Sequence, residues 1–431
     1  MNIYDRIKTM SDEMAGDLTA QRRDFHKYAE PGWFEMRTSS IIARKLTELG
    51  YEVLVGDQVC KKDSRMGVPS DEKLEEQYER AVAQGADPEF VKYTKGGMTG
   101  VIGILRCGEG PTVAMRFDID ALGVFEEHDP SHRPAKEGFN SVNEGFMHAC
   151  GHDIHTSVIL GAALKLKERE ASLNGRVRIL FQPAEENFGG AKSMVRAGAL
   201  RDVRAIFGMH NEPSLPVGEF ATRGGPFYAN VDRFVIHVTG KGAHAARPHE
   251  GNDAIVLASQ LVTALQSVAS RNVNTLDSVV LSVTRIAGGN TWNVLPESVE
   301  LEGTLRTHRT EVQQNVKARV GEIAAGFASA FSAQINITWY AGPTALVNDE
   351  HWAVFATSVA REAGYETRHA ELHMGGEDFA VYLQNIPGAF VSIGSNSPFG
   401  LHHPAFNPDE ALIEPAARYF AQLAEKALQH V

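Results

Sequence analysis

Four short apolar runs, GVIGILRCG, PTVAMRFDID, GRVRILFQPAE and VRAIFGMHN, constrain this chain more than any other feature. Each has the length of a β-strand, and the helical stretch ILGAALKLKERE lies among them. Strands alternating with helices predict an α/β sheet that is at least partly parallel. In such sheets ligands bind beyond the carboxyl ends of the strands. Those ends are where reactive residues fall: Asp118 and Asp120 after the second run, Glu185 and Glu186 after the third, His210 after the fourth. Three strand ends carrying carboxylates or imidazoles predict one site at one edge of the sheet.

Upstream, LTAQRRDFHKYAE and TSSIIARKLTELGYEV space their apolar positions three and four apart and predict helices, the second ending at Gly50. Between Gly56 and Gly97 lies a polar helical excursion whose charges suggest a solvated or partner-facing element, a lid or a contact surface. From about Arg223 the pattern changes. FVIHVTG, DAIVLASQLVTALQSVAS, SVVLSVTRIAGG, SVELEGTLRT, VQQNVKARVGEIAAGFASAF and AQINITWYAG read as β-α-β-β-α-β, the ferredoxin-like split unit. The earlier style resumes after about Ala341. The expectation is a larger domain made of residues 1–222 and 341–431, split by an inserted domain over 223–340, because insertions succeed at exposed loops. A length of 431 residues suits two domains.

Composition narrows the class. Hydrophobic residues at 43% and charged residues at 22% match an ordinary globular chain. A net charge of -12 disfavours nucleic acid and acidic membrane, which need a positive field, but a few arginines still allow a carboxylate ligand. No apolar stretch reaches the roughly 18 residues of a membrane span. The N-terminal MNIYDRIKTMSDEMAG mixes charge into every short window, so no export signal is read. Three cysteines, an odd number, argue against a disulfide framework and for a reducing compartment, so a cytoplasmic location is expected.

The segment HACGHDIH, residues 148–155, packs a thiol, three imidazoles and a carboxylate into eight positions. Cys150 and His152 form a Cys-x-His pair that can place sulfur and nitrogen on one first-row metal ion; the bland alternative is a buried Cys beside surface histidines. In QPAEEN, adjacent side chains diverge. One of Glu185 and Glu186 can then face a metal while the other faces the attacking water, although paired glutamates alone are usually solvated surface. His210 and His402 are further imidazole candidates, and His403 rivals His402 because spacing does not choose between them. AHAARPHEGNDA, residues 243–254, reads as a turn before a helix capped by Asn252 or Asp253.

Taken together, RRDFHKYAEPGW, RFDIDAL, HACGHDIHT, FQPAEE, GKGAHAARPHEG, NVLPESVELEGTLRT, GGEDFA and GLHHPAFNPDE span nearly the whole chain. Their order resembles the dinuclear-metal amidohydrolases that include hippurate hydrolases, aminoacylases, N-acetyl-diaminopimelate deacetylases and auxin-conjugate hydrolases. The long excursion, SRMGVPSDEKLEEQYERAVAQGA, is similar to the one found in aminobenzoyl-glutamate hydrolases. The resemblance implies a mixed-sheet, zinc-peptidase-like α/β catalytic domain with an inserted ferredoxin-like lid and dimerisation domain. It implies two divalent ions, manganese or zinc with cobalt accepted, held by Cys150, His152, Glu186, His210 and His402. Glu185 would be the base, His244 from a second protomer would stabilise the oxyanion, Asn293 and Arg306 would hold a substrate carboxylate, and Asp118 would support the ligands. The implied substrate is an N-acyl or N-aroyl amino acid, p-aminobenzoyl-glutamate first, with hippurate and N-acetyl amino acids as alternatives. The implied assembly is a dimer, either of two copies or of one copy paired with a related sister chain. A noncatalytic binding protein is the rival reading, which an intact Glu185 opposes. DIDALG and FNPDE depart from the usual DALP and FDFND-like endings, which leaves the pocket shape open.

Overall fold

A computed structural model describes residues 17–431; the segment read for an export signal, residues 1–16, lies outside the described residues. Along the chain run α1 (17–27), α2 (Met36–Glu48), β1 (Glu52–Val55), α3 (Asp71–Ala83), β2 (Val101–Arg106), β3 (Thr112–Asp118), α4 (Arg133–Glu137), α5 (His152–Glu168), β4 (Arg176–Gln182), α6 (Gly190–Arg196), β5 (Val203–Glu212) and β6 (Glu219–Thr222). There follow β7 (Gly225–Tyr228), β8 (Asn230–Thr239), β9 (Ala243–His244), α7 (Ala254–Arg271), β10 (Val279–Gly288), β11 (Val294–Leu295), β12 (Ser298–Thr307), α8 (Thr310–Phe331), β13 (Gln334–Ala341) and β14 (Leu346–Asn348). The chain ends with α9 (Glu350–Glu362), β15 (Glu366–His369), α10 (Ala380–Leu383), β16 (Gly388–Gly394) and α11 (Ile413–His430).

Two compact units result, one of the described residues up to 225 with 348–370 and 381–431, the other of 226–347 and 371–380. The sequence pattern predicts the insertion over 223–340. Residues up to 347 join the second unit because β14 pairs with β7, and 371–380 join it where His373 bridges Tyr228.

The first unit is built on an eight-stranded mixed sheet in the order β1-β2-β4-β3-β5-β16-β6-β15. Its centre is parallel: β3 runs with β4 and with β5, and β16 runs with β5. All seven residues of β3 are buried, as expected of a strand covered on both faces. Phe117, Phe181 and Phe207 from three neighbouring strands share one core with Ile154 and Val158 of α5 and with Tyr419 and Phe420 of α11. Burying each such side chain contributes about 1.5–3 kcal/mol. The excursion is less solvated than its charges suggest: Leu74, Ala81, Ala86 and Val91 pack with Trp33, Met36 and Ala184.

In the second unit β10-β12-β8-β13 form an antiparallel sheet, the strand order 2-3-1-4 of a ferredoxin-like unit. Every second residue of β12 is buried, the pattern of a sheet with one covered face. Leu257, Leu261 and Leu265 of α7 and Val316 and Val320 of α8 lie with Phe234, Ile236, Leu301 and Leu305 in its core. The α7 cap is Asp253, which accepts from the amides of Ile255 (3.0 Å) and Val256 (3.1 Å). Among the described residues no helix is long and apolar enough to cross a membrane.

Candidate metal centre

Parallel register brings the loaded strand ends side by side. Asp118 closes β3 opposite Gln182 of β4, and His210 lies near the end of β5 opposite Ser392 of β16. The HACGHDIH segment enters the same edge as the start of α5. Gly151 makes that turn at φ +83°, and a Cβ there would meet Asn211 Nδ2 at 2.6 Å. Only glycine tolerates both conditions, so Cys150 and His152 are delivered from either side of it. Asn211 Nδ2 in turn donates to the Cys150 carbonyl at 2.6 Å.

Donor atoms converge in overlapping groups. Cys150, His152 and His210 form one; Cys150, Glu186 and His402 another; His152, Glu185 and Glu186 a third, with ligand atoms within 4.8 Å of one another in each. Cys150 Sγ lies 3.3 Å from His210 Nε2, and Glu186 Oε1 lies 3.5 Å from His402 Nε2 and 3.9 Å from His152 Nε2.

The imidazoles are oriented by what their other nitrogen touches. His210 Nδ1 is 2.7 Å from the Asn211 carbonyl, which can only accept, so Nδ1 carries the proton and Nε2 presents a lone pair toward Cys150. His152 Nδ1 lies 3.1 Å from Asp120 Oδ1, leaving Nε2 toward the centre. Asp120 also accepts from the Glu186 amide at 3.0 Å. Asp118 contacts the ring of His155 (Nδ1 to Oδ1, 2.5 Å) and Arg116 (2.8 Å), while His155 Nε2 accepts from the Asn211 amide at 3.0 Å. The carboxylate against His152 Nδ1 is therefore that of Asp120, and Asp118 lies 3.7 Å from His152 Nε2. Sequence spacing assigns a role to neither Asp120 nor His155; the DIDAL segment after an apolar strand is the available signal.

These residues fit a cation. His152 Nε2 and Glu186 Oε1 are buried without a hydrogen-bond partner, a cost that a bound ion removes. Burial lowers the proton affinity of His152, yet Asp118, Asp120 and Glu186 outweigh it and carry its pKa up to about 10. Burial, then Glu186 and Glu185, push the Cys150 thiol well above its ordinary value. Burial, then His155 and His152, hold His210 well below its own, which keeps the ring neutral as a ligand must be. At His152 the carboxylates of Asp118, Asp120 and Glu186 supply negative charge that a divalent ion can balance in place of a proton. The mixture of sulfur, imidazole and carboxylate suits a first-row divalent metal.

His402 and His403 separate clearly. His403 stacks on Phe399 (4.6 Å between centroids) and its Nδ1 accepts from the Ala405 amide at 3.0 Å. His402 occupies the left-handed region (φ +66°) and faces Glu186. Glu185 is buried and shares a donor group with His152 and Glu186.

Three predicted residues belong to the second unit. His244 is exposed on β9, and its Nδ1 accepts from the Ala246 amide at 3.1 Å, which puts its proton on Nε2. Asn293 lies beside it across the β9–β11 ladder, its carbonyl accepting from the Ala245 amide at 3.0 Å. Arg306 on β12 is held by Thr304 Oγ1 (3.0 Å) and the Met374 carbonyl (3.4 Å), with no carboxylate partner among the described residues.

Known proteins resemble this chain over most of its length. The model of Peptidase family M20/M25/M40 matches residues 114–426. The chain is 40% identical over 415 residues to N-acetylcysteine deacetylase of Bacillus subtilis (strain 168), covering 96% of this chain and 97% of that one. It is 35% identical over 423 residues to one of the subunits of p-aminobenzoyl-glutamate hydrolase of Escherichia coli (strain K12), covering 96% of each. A crystal structure from Bacillus subtilis described as a dinuclear metal binding peptidase superposes with a TM-score of 0.78 at 36% identity, over 97% of this chain and 100% of that one. The chain is thus a metal-dependent amidohydrolase belonging to Peptidase family M20/M25/M40.

Proposed function

We propose that this chain hydrolyses the amide bond of a small N-acyl or N-aroyl amino acid carrying a free carboxylate. The observation that carries this reading is the convergence of buried Cys150, His152, His210 and Glu185 with part-buried Glu186 and exposed His402 at one sheet edge. Cys150, His152, Glu186, His210 and His402 would hold two divalent ions, manganese, zinc or cobalt, which when bound lower the pKa of water toward about 7 and polarise a carbonyl. Glu185 takes the proton from the attacking water and returns it to the departing amine. The second unit is read as the lid and dimerisation domain. His244, with its proton on Nε2, is a donor suited to the oxyanion of a neighbouring protomer, and Arg306 is a cation suited to the substrate carboxylate.

N-acetylcysteine and p-aminobenzoyl-glutamate are the substrates that the similar proteins' names put forward. Release of p-aminobenzoate or cysteine by the purified chain with manganese, blanked against Glu185→Gln, tests the reading. Release lost in the variant supports it. No release from these or from hippurate, with metal bound, sinks these substrates or the self-sufficiency of this chain.

A further inference from the structure

The turn that carries Glu185 and Glu186 is held on both sides by carboxylates remote in sequence. Its first residue, Ala184, sits in the left-handed region (φ +51°), a conformation that a non-glycine residue keeps only where its surroundings hold it. The Ala184 amide donates to Glu35 Oε1 at 2.8 Å, and the Glu186 amide donates to Asp120 Oδ2 at 3.0 Å. The amides flanking Glu185 are thereby both anchored. The Glu185 carbonyl closes the turn by accepting from the Phe188 amide at 2.7 Å.

Glu35 is fully buried, and its other oxygen accepts from Thr99 Oγ1 at 2.7 Å. Helix α2 does not need it as a cap. Glu30 already takes that helix's first amides, from Arg37 (3.0 Å) and Thr38 (2.8 Å), and Glu35 makes no side-chain cap bond. Behind the turn, Trp33 packs on Ala184 together with Leu74, Ala81, Ala86 and Val91 of the excursion, and its Nε1 donates to the Met66 carbonyl at 2.7 Å.

We propose that Glu35 is a positioning residue, whose hydrogen bond to Ala184 fixes the turn so that Glu186 reaches the metal centre while Glu185 remains beside it as base, with the excursion bracing the turn from behind. This inference rests on the roles given above to Glu185 and Glu186. Outer groups that orient ligands commonly change metal affinity or activity by about 10- to 100-fold when removed.

The test measures zinc affinity by equilibrium dialysis, and kcat and KM on whichever acyl amino acid the wild type cleaves, for the full chain and three variants. Glu35→Gln keeps an oxygen for the Ala184 amide, and the Thr99 hydroxyl can rotate to accept from its NH2; it is expected to behave within about threefold of wild type. Glu35→Leu removes the acceptor and is expected to lose about tenfold or more in zinc affinity, and in kcat with KM little changed. Glu30→Gln perturbs a second buried carboxylate of the same segment and is expected to keep both. Should Glu35→Leu fail to fold, Glu35→Asp, which is too short to reach Ala184, is read in its place. Wild-type zinc affinity in Glu35→Leu overturns the proposal, as does an equal loss in Glu30→Gln, which would indicate general loosening. A wild type that cleaves no acyl amino acid sinks the proposed function instead, and zinc affinity still decides the role of Glu35.

Discussion

Exchanging Glu185 for Gln leaves size and burial nearly intact while removing the proton acceptor. Glu185→Gln is accordingly expected to retain wild-type metal content, measured by elemental analysis, and to lose about 10²- to 10⁴-fold in kcat. Cys150→Ala removes the thiol 3.3 Å from His210 Nε2, and the same analysis is expected to find at least one ion lost per chain. A fully loaded Cys150→Ala protein would remove Cys150 from the ligand set. The two variants differ because one removes the proposed base and the other a proposed ligand. At this scale the density of donors in HACGHDIH is readable from sequence because thiol, imidazole and carboxylate sit within eight residues. The Glu35–Ala184 bond is not, since its partners are 149 positions apart and neither residue type announces the other. The choice of His402 over His403 depends on a backbone at positive φ and a stack on Phe399, neither of which spacing encodes.

Elements deliver these side chains through a few backbone constraints, and the start of α5 is the tightest. Gly151→Ala would place a methyl 2.6 Å from Asn211 Nδ2 in a left-handed conformation. The expected result is a loss of about 1–3 kcal/mol of stability, read from denaturant melts, together with weaker metal binding as Asn211 releases the Cys150 carbonyl. Unchanged stability and affinity would show that α5 can re-enter the edge another way. The alternation of strands and helices makes the sheet legible, because apolar runs of strand length reflect burial on both faces. The ferredoxin-like unit is legible from element order. What α3 does is not: its charges describe the exposed face, and Leu74 and Ala81 announce a buried one only once Trp33 is beside them.

Across the first unit as a whole, a buried ionic chain ties α1 to the start of α5. Arg22 Nε lies 2.7 Å and His26 Nδ1 2.9 Å from Asp153, and Glu126 lies 2.9 Å from His26 and 3.0 Å from His132. Burial pushes the Glu126 carboxyl up, but hydrogen bonds from His132 and His26 prevail and hold it down at about 2. With its folded-state value below the unfolded value of 4.5, its contribution is complete above about pH 4.5 and lost as pH falls toward about 2. The shift corresponds to a stability term on the order of 3 kcal/mol. Melting curves between pH 5 and pH 3 are expected to fall more steeply for wild type than for Glu126→Gln, and parallel curves would show that the chain carries no such linkage. The split path of the chain through the first unit has a consequence for synthesis. Strand β16 lies between β5 and β6, yet the ribosome makes it only after the whole of residues 226–347. At roughly 5–20 residues per second, the four strands and two helices of the later unit can pair while the earlier half still lacks its central neighbour and its final helix. Until β16 emerges, the nascent chain holds four of its five proposed ligands and an open edge on β5. That interval is when chaperone cover matters most.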